Sequence, residues 1–471
     1  MSRGLEWRLT IPDGSSVKLL PDSSVIQSVW TMFLSLFVAL KSKATKFFKR
    51  AWKTGMDEPK KFIHCLKVGM CLSIVSLFYY TRPLYDGVGG NAMWAVMTVV
   101  VVLEYTVGGT LYKGFNRATA TLLAGSLGVG IHLLASKSGD RGEPIIRGAS
   151  VFLIEVKSRF DYGVLIFILT FSLVSVSGYR VDKLFDLAQQ RLSTIAIGTS
   201  MCIFISILVF PVWAGTDLHR LIIRNMDKLA ESLDGCVSTY FDGGIRKSEE
   251  EPGKKAQGYK CVLNSKASEE SLANLARWEP GHGCFGFSYP WRQYLKIGTA
   301  MRHCACCLEA LNGCINSDIQ APEFIKKHLS DGCMKLSSHS TDVLKELSNI
   351  IKSTEKSSNI DTLLGDMSAA VEDLQNTLRS LTNQTLATPP PPSTENQGKP
   401  DAAMTNVPLM DILPVVTMAS LLIEIAARIE NITDTVDDLA AMADFKATKD
   451  QSSEKSTLQD EMENMKELQE V

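Results

Sequence analysis

Long apolar runs dominate residues 62–213 and are separated by only a few charged residues. They are too long and too frequent for the core of a soluble domain. One run, residues 91–103, is apolar on every face of a helix, and the apolar pattern resumes past Glu104 to Tyr112. A helix of that length can cross a bilayer. The pattern therefore predicts a membrane domain over residues 57–214.

The apolar runs divide into six predicted spans. These are residues 62–80, 91–112, 118–135, 145–156, 162–177 and 192–213. An even number of spans puts both chain ends on one side, and the basic residues near the N-terminus and in alternate turns put that side in the cytosol. Ionisable groups held inside such a domain are costly and usually functional.

The N-terminal segment, residues 1–56, contains an apolar run at 25–40 that is followed by six basic residues. A cleaved signal peptide has the opposite order, with its basic residues first. The segment favours an amphipathic helix that lies on the cytosolic face and binds membrane lipid. A seventh span is the alternative, although the run is only 16 residues long.

Beyond Trp213 the chain is more polar and keeps a helical period. The pattern predicts a cytosolic helical domain (215–387), a proline-rich linker (388–407), a C-terminal helix (408–446) and a disordered tail (447–471). Apolar positions repeat every three or four residues from Val415 to Leu439, so one face of the C-terminal helix must pack on something. Docking onto the cytosolic helices and a coiled coil between protomers are the alternatives. The fold class is all-α.

Charge and cysteine content exclude several classes of function. Forty-nine Lys and Arg residues against 51 Asp and Glu residues leave a formal charge of −2, which gives no sign of nucleic acid as a partner. The cluster from His303 to Cys307 resembles a metal site but lacks a second pair of ligands at the usual spacing, so structural thiols are favoured over metal ligands. No catalytic motif is present, and the sequence indicates neither an enzyme nor a cofactor.

Basic residues beside the predicted spans are the remaining chemical signal. Lys113, Arg117 and Arg191 are placed where they can reach the membrane interior. An arginine stays charged, its guanidinium group can bind a carboxylate in place of lost water, and rings of such residues select anions. The alternative is structural: Arg117 would pair with Glu104, and Arg191 would pair with Asp186 or extend to the interface.

An ordered set of short motifs runs along the chain. They include DEPK (57–60), NAMWAVMTVVVVLE (91–104), KGFNR (113–117), FDYG (160–163), PVWAG (211–215) and the triplet Trp278, Glu279 and Pro280. In this order they resemble the plant aluminium-activated malate transporter family, whose members are anion channels.

The resemblance implies a homodimer of six-helix membrane halves with cytosolic helical domains and a central pathway for malate, other organic anions, chloride or nitrate. It implies that Arg117 and Arg191 line this pathway. It also places Asp86, Asp182 and Asp186 where aluminium-responsive members hold carboxylates on the outer face. Solvated loop acids are the alternative, and they are favoured over an aluminium site.

The fourth span departs from the family, because residues 145–156 are about ten residues shorter than a full span with its flanks. A non-conducting membrane scaffold is therefore the main alternative to a gated anion channel. An efflux carrier for aromatic acids is another. A multi-pass location in the plasma membrane is favoured over the vacuolar membrane.

Overall fold

The computed structural model describes most of the helical part of the chain. The described residues are 8–10, 16–18, scattered positions in 30–55, 59–80, 92–138, scattered positions in 142–152, 162–177, 184–241, 257–386 except 284, 287–288 and 318–319, and 409–447. The chain divides into two compact units, Met1–Leu77 and Phe78–Val471.

The first unit contains a short hairpin and most of the first long helix. Strands β1 (Arg8–Thr10) and β2 (Ser16–Lys18) pair antiparallel, an element that the apolar pattern did not predict. Described positions within the predicted amphipathic segment, including Trp30 and Met32, are helical and exposed. Helix α1 (Pro59–Tyr80) carries the first predicted span.

Four apolar helices form the membrane part of the second unit. They are α2 (Ala92–Val102), α3 (Val107–Ser136), α4 (Tyr162–Ser177) and α5 (Leu184–Leu208). Helix α3 packs on α4 and α5, and α2 packs on α5. Two glycines permit the close approach of α5: a Cβ on Gly114 would lie 2.7 Å from Thr199 Cγ2, and one on Gly198 would lie 2.9 Å from Thr98 Cβ.

The boundary predicted between the second and third spans was wrong. Helix α2 ends at Val102, not at Tyr112, and α3 begins at Val107, where the chain is still apolar. Thr106 caps α3 by accepting a hydrogen bond from the Gly109 N–H. The cause is local capping chemistry, which a hydropathy pattern does not register. Lys113 and Arg117, expected in a turn, therefore lie inside α3.

Three described segments are long and apolar enough, by length and composition, to cross a membrane: Val107–Ala135, Arg191–Leu208 and Ile412–Met442. The first two belong to α3 and α5. The third belongs to α12 (Leu409–Met442), and its apolar face is buried against other helices of the same chain.

The rest of the second unit is a helical bundle. Its other helices are α6 (Ala214–Phe241), α7 (Tyr259–Leu263), α8 (Lys266–Ala276), α9 (Trp291–Ile315), α10 (Glu323–Ser353) and α11 (Ile360–Leu386). Helix α10 packs on α6 and α11, and α9 packs on α12.

Helix α12 docks onto this bundle, as one of the two interpretations of its sequence predicted. Val415, Ile425 and Ile432 are fully buried. The Gln293 Nε2 donates to Thr435 O at 3.0 Å and fixes the polar end of the helix. Beyond the α12 helix, a two-residue parallel pairing joins β3 (Glu355–Lys356) to β4 (Lys446–Ala447).

The cysteines of α9 point in different directions. Cys304 is buried, Cys307 is half-buried and Cys306 is exposed. Burial raises the pKa of the Cys304 thiol to about 12, so this side chain is a neutral core residue. Among the residues that the structure describes, no three metal-ligating side chains form a cluster.

A buried histidine ties α6 to α9. The Nδ1 of His219 lies 2.8 Å from the Tyr294 hydroxyl, and the ring contacts Phe285 edge-on. Burial, with a smaller contribution from the nearby charge of Arg220, lowers the pKa of His219 from 6.5 to about 4. The folded domain thus holds this imidazole neutral where an unfolded chain would protonate it.

We expect this histidine to make the bundle acid-sensitive. The folded state binds fewer protons than the unfolded state between pH 6.5 and about 4, so stability is full above 6.5 and falls through that window. The loss reaches roughly 3 kcal/mol at most. Thermal unfolding of the detergent-solubilised chain should show a Tm that falls with pH. His219→Gln should flatten that dependence, and an unchanged slope in this variant would contradict the assignment.

Candidate functional site

Two arginines face one small cavity inside the membrane part. The cavity has a volume of about 20 Å³ and is lined by Arg117 of α3, by Arg191 and Ile195 of α5, by Trp94 of α2 and by residues of α4. The packing of α3 on α4 and α5, and of α2 on α5, brings these side chains to the cavity. The structure therefore brings together the two arginines that the sequence could only place near separate spans.

Arg117 lies well inside its helix, whereas Arg191 lies at the start of the candidate span of α5. Arg117 is ten residues into α3, about 15 Å along the axis, and Arg191 is 17 residues before the end of α5, about 25 Å. The hydrocarbon core of a bilayer is about 30 Å thick. Arg117 therefore lies inside the candidate span Val107–Ala135 and not at its start, whereas Arg191 is the first residue of the candidate span Arg191–Leu208, as expected.

Neither arginine has an acidic partner among the described residues. Arg117 is only 6% exposed, and the Nε atoms of both side chains are buried without a hydrogen bond to any described group. The Arg191 guanidinium instead lies over the Trp94 ring, 3.2 Å from its centroid. An aromatic face stabilises a cation without neutralising it. The cavity thus keeps its positive charge.

The third basic residue, Lys113, is placed differently. Its ammonium group forms an ion pair with Glu104, whose carboxylate was the predicted alternative partner of Arg117. Both side chains are partly exposed, near the start of α3. This pairing leaves Arg117 without that carboxylate.

A second cluster joins the apolar helices to the helical bundle. Its centre is the Glu279 carboxylate, which is 5% exposed. The Oε1 atom accepts hydrogen bonds from Ala214 N at 2.6 Å and from Gly108 N at 3.3 Å, and the Oε2 atom accepts one from Gly215 N at 3.0 Å. Gly108 is in the first turn of α3, and the other two residues begin α6. One side chain therefore caps two helices.

Helix starts suit a carboxylate because their N–H groups lack intrahelical partners and carry a positive partial charge. Burial raises the pKa of Glu279 above its usual value, while the three N–H donors and the nearby His282 act in the opposite direction. The backbone approaches closely here: a Cβ on Gly108 would lie 2.2 Å from Leu275 O, and one on Gly215 would lie 2.4 Å from the Trp291 ring.

Aromatic contacts reinforce the Glu279 cluster. Trp278 packs against Tyr112 and Phe115 of α3, with both ring centroids at 5.5 Å. His282 stacks on Trp213 at 3.9 Å and lies with Nδ1 at 2.9 Å from Pro280 O, so Nδ1 donates to that carbonyl. Its Nε2 then faces the Glu279 Oε2 at 4.0 Å.

The predicted aluminium ligands do not enter this geometry. Asp86 and Asp182 lie outside the described residues. Asp186 belongs to α5, but its side chain is also outside them. Half of the short fourth span, residues 145–156, likewise lies outside them, and these interpretations stay predictions.

The sequence did not predict the roles of two residues, Trp94 in the arginine cavity and Glu279 in its cluster. Trp94 sits in a uniformly apolar run, and nothing in its spacing distinguishes a cavity-lining ring from one that faces lipid. Glu279 was noted only as part of a motif. Its role as a double cap depends on backbone groups 64 and 171 positions away, for which a single sequence carries no signal.

Comparisons with known proteins agree on one family. The profile of the family described as Aluminium activated malate transporter matches residues 52–399 and 384–440. Aluminum-activated malate transporter 10 of Arabidopsis thaliana is 50% identical over 482 aligned residues that cover 96% of each chain. Aluminum-activated malate transporter 1 of Triticum aestivum is 39% identical over 90% of this chain and 92% of its own.

The Glu279 cluster predicts a specific effect of mutation. Glu279→Ala leaves three buried N–H groups without their acceptor, at a cost of about 2 kcal/mol or more, equivalent to about 30-fold faster local opening. Hydrogen exchange on the detergent-solubilised chain should show faster exchange at Gly108, Ala214 and Gly215.

The matched control is Glu270→Ala, because Glu270 is exposed and contacts only Lys266 at 4.0 Å among described residues. Such a surface pair contributes little. Equal exchange at the three amides in both variants would contradict the capping role.

Proposed function

This chain belongs to the aluminium-activated malate transporter family, and from that premise we propose that it is a gated anion channel for malate and related organic or inorganic anions in a plant membrane. It is a membrane transporter, not an enzyme. The observation that carries the proposal is a pair of arginines without a described counter-charge, Arg117, which is buried, and Arg191, which is half-buried. A permeating anion supplies the missing negative charge.

The positive charge of the two arginines needs a compensating negative charge. A charge inside a membrane is costly unless it is paired or serves ion passage. A guanidinium group can form two parallel hydrogen bonds with a carboxylate, which replace part of the water shell that the anion loses. Arg117 on α3 and Arg191 on α5 offer two such groups at one depth in the fold.

The cavity also supports gating. Its volume of about 20 Å³ accommodates one water molecule but not a dicarboxylate. Conduction then requires the surrounding helices to separate. The Glu279 cluster connects the start of α3, which carries Arg117, to the start of the cytosolic helix α6. We infer that movement of the cytosolic bundle reaches the arginine cavity along α3.

The proposal extends to architecture. Six spans with both termini in the cytosol, and a twofold homodimer with a central pathway, follow the family pattern. Twofold symmetry would double the arginine charge around the pathway. The plasma membrane is the favoured location over the vacuolar membrane, and recordings from whole cells and from isolated vacuoles would distinguish the two.

The two rival functions have their own support and tests. The alignment with the Arabidopsis relative spans 482 positions, more than the 471 residues of this chain, so that relative has segments with no counterpart here. A missing segment within the fourth span, residues 145–156, would favour the scaffold. A scaffold would carry no malate current, and a carrier for aromatic acids would show saturable flux without unitary currents.

The arginines provide the decisive test. Arg117→Ala and Arg191→Ala should each reduce malate current at least tenfold, since each removes a charge-assisted interaction of about 1.5 to 3 kcal/mol. Lys variants should retain more current than Ala variants because the charge persists while the planar donor group is lost. Patch-clamp recording with malate or chloride as the sole permeant anion measures both effects.

Controls separate conduction from folding and gating. Arg379→Ala, on an exposed cytosolic position, should conduct like the unmodified chain. Glu279→Ala should change the fraction of time spent open while the unitary conductance stays the same. Normal malate current in both arginine variants, at equal surface amounts, would refute the proposed pathway.

Aluminium activation is a separate proposal, because the relatives carry it in their names. Oxygen ligands suit a hard trivalent cation. If Asp86, Asp182 and Asp186 bind aluminium, changing all three to Asn should abolish the aluminium-induced rise in current and leave the basal current intact. An equal aluminium response in the triple variant would assign these acids to solvated loops.

A further inference from the structure

Most threonine hydroxyls in the membrane helices are hydrogen-bonded to their own backbone. Thr98 donates to Trp94 O at 2.8 Å, Thr119 to Phe115 O at 2.9 Å, and Thr110 to Thr106 O at 3.1 Å. This bond to a carbonyl one turn earlier is the usual solution for a threonine inside a helix. A hydroxyl bonded in this way needs no hydrogen-bond partner outside its own helix.

Thr121 of α3 and Thr199 of α5 depart from this behaviour. They are 4% and 8% exposed, and each Oγ1 is buried without a hydrogen bond to any group in the described part of the chain. A buried hydroxyl in a membrane cannot turn to bulk water for a partner, so its lack of one is costly. Retaining such a group is consistent with a ligand that occupies it intermittently.

Their positions connect these hydroxyls to the arginines. Thr121 follows Arg117 by four residues, so both lie on one face of α3. Thr199 follows Ile195 by four residues, and Ile195 lines the arginine cavity together with Arg191. The Thr199 methyl group packs toward Gly114, on the same face of α3. The facing surfaces of α3 and α5 thus carry both charged and hydroxyl donors.

We propose that Thr121 and Thr199 are further anion-binding residues of the conduction pathway. Their hydroxyls donate hydrogen bonds to a carboxylate or a small inorganic anion next to Arg117 and Arg191, and replace part of its water shell. This inference rests on the proposed channel function. Hydroxyl donors matter most for strongly hydrated anions such as malate and least for weakly hydrated nitrate. The two threonines would therefore determine the selectivity for malate over nitrate, while the two arginines attract anions in general.

The test substitutes valine, which has the shape of threonine but no donor. Thr121→Val and Thr199→Val should each lower the malate-to-nitrate permeability ratio about tenfold, as expected for one lost hydrogen bond to a charged group. Thr121→Ser should restore the ratio. The matched controls, Thr119→Val and Thr98→Val, remove hydroxyls that are bonded to backbone and should leave the ratio unchanged.

Stability provides the second readout. Removing an unpartnered buried hydroxyl does not weaken the fold, so the Tm of the solubilised Thr121→Val and Thr199→Val variants should not fall. An unchanged permeability ratio in both variants would overturn the inference, and so would a ratio change equal to that of the controls. If the arginine variants lose malate current while these two do not, this inference alone fails. If the arginine variants also conduct normally, the channel pathway itself fails.

Discussion

One buried carboxylate links the apolar helices of the second unit to its helical bundle. Glu279 accepts hydrogen bonds from the first turns of α3 and α6, so a single side chain satisfies backbone donors of two helices. Helix starts in a protein interior must find such acceptors. This contact ties the start of α3, the helix that carries Arg117, to the start of α6.

The arginine cavity follows from a different constraint. The membrane interior tolerates charge only where it is compensated, and Arg117 and Arg191 have no described acid beside them. The fold instead places Trp94 under one guanidinium group and pairs Glu104 with Lys113. Because Glu104 pairs with Lys113 and the Trp94 ring carries no negative charge, the arginine cavity keeps a net positive charge. Such a site suits an anion in transit, which binds and must also leave.

Hydropathy predicted most helices but failed at one boundary. The helices beyond Trp213 and the docking face of α12 could be predicted, because an amphipathic period of three to four residues records which side of a helix is buried. The break between α2 and α3 was not, because residues on both sides of it are apolar and a threonine cap determines where the new helix starts. Arg117 consequently lies about three turns deeper than the pattern implied.

The sequence by itself determined that the protein is helical, membrane-embedded and a relative of malate transporters, because composition, apolar run length and ordered motifs are local properties of the chain. It also supplied Arg117 and Arg191 as candidates. Only the tertiary structure decided that these two share a cavity with Trp94 and that Glu279 caps two helices. These contacts join residues 64 to 171 positions apart at the Glu279 cluster, and their geometry depends on how the helices pack rather than on any local pattern.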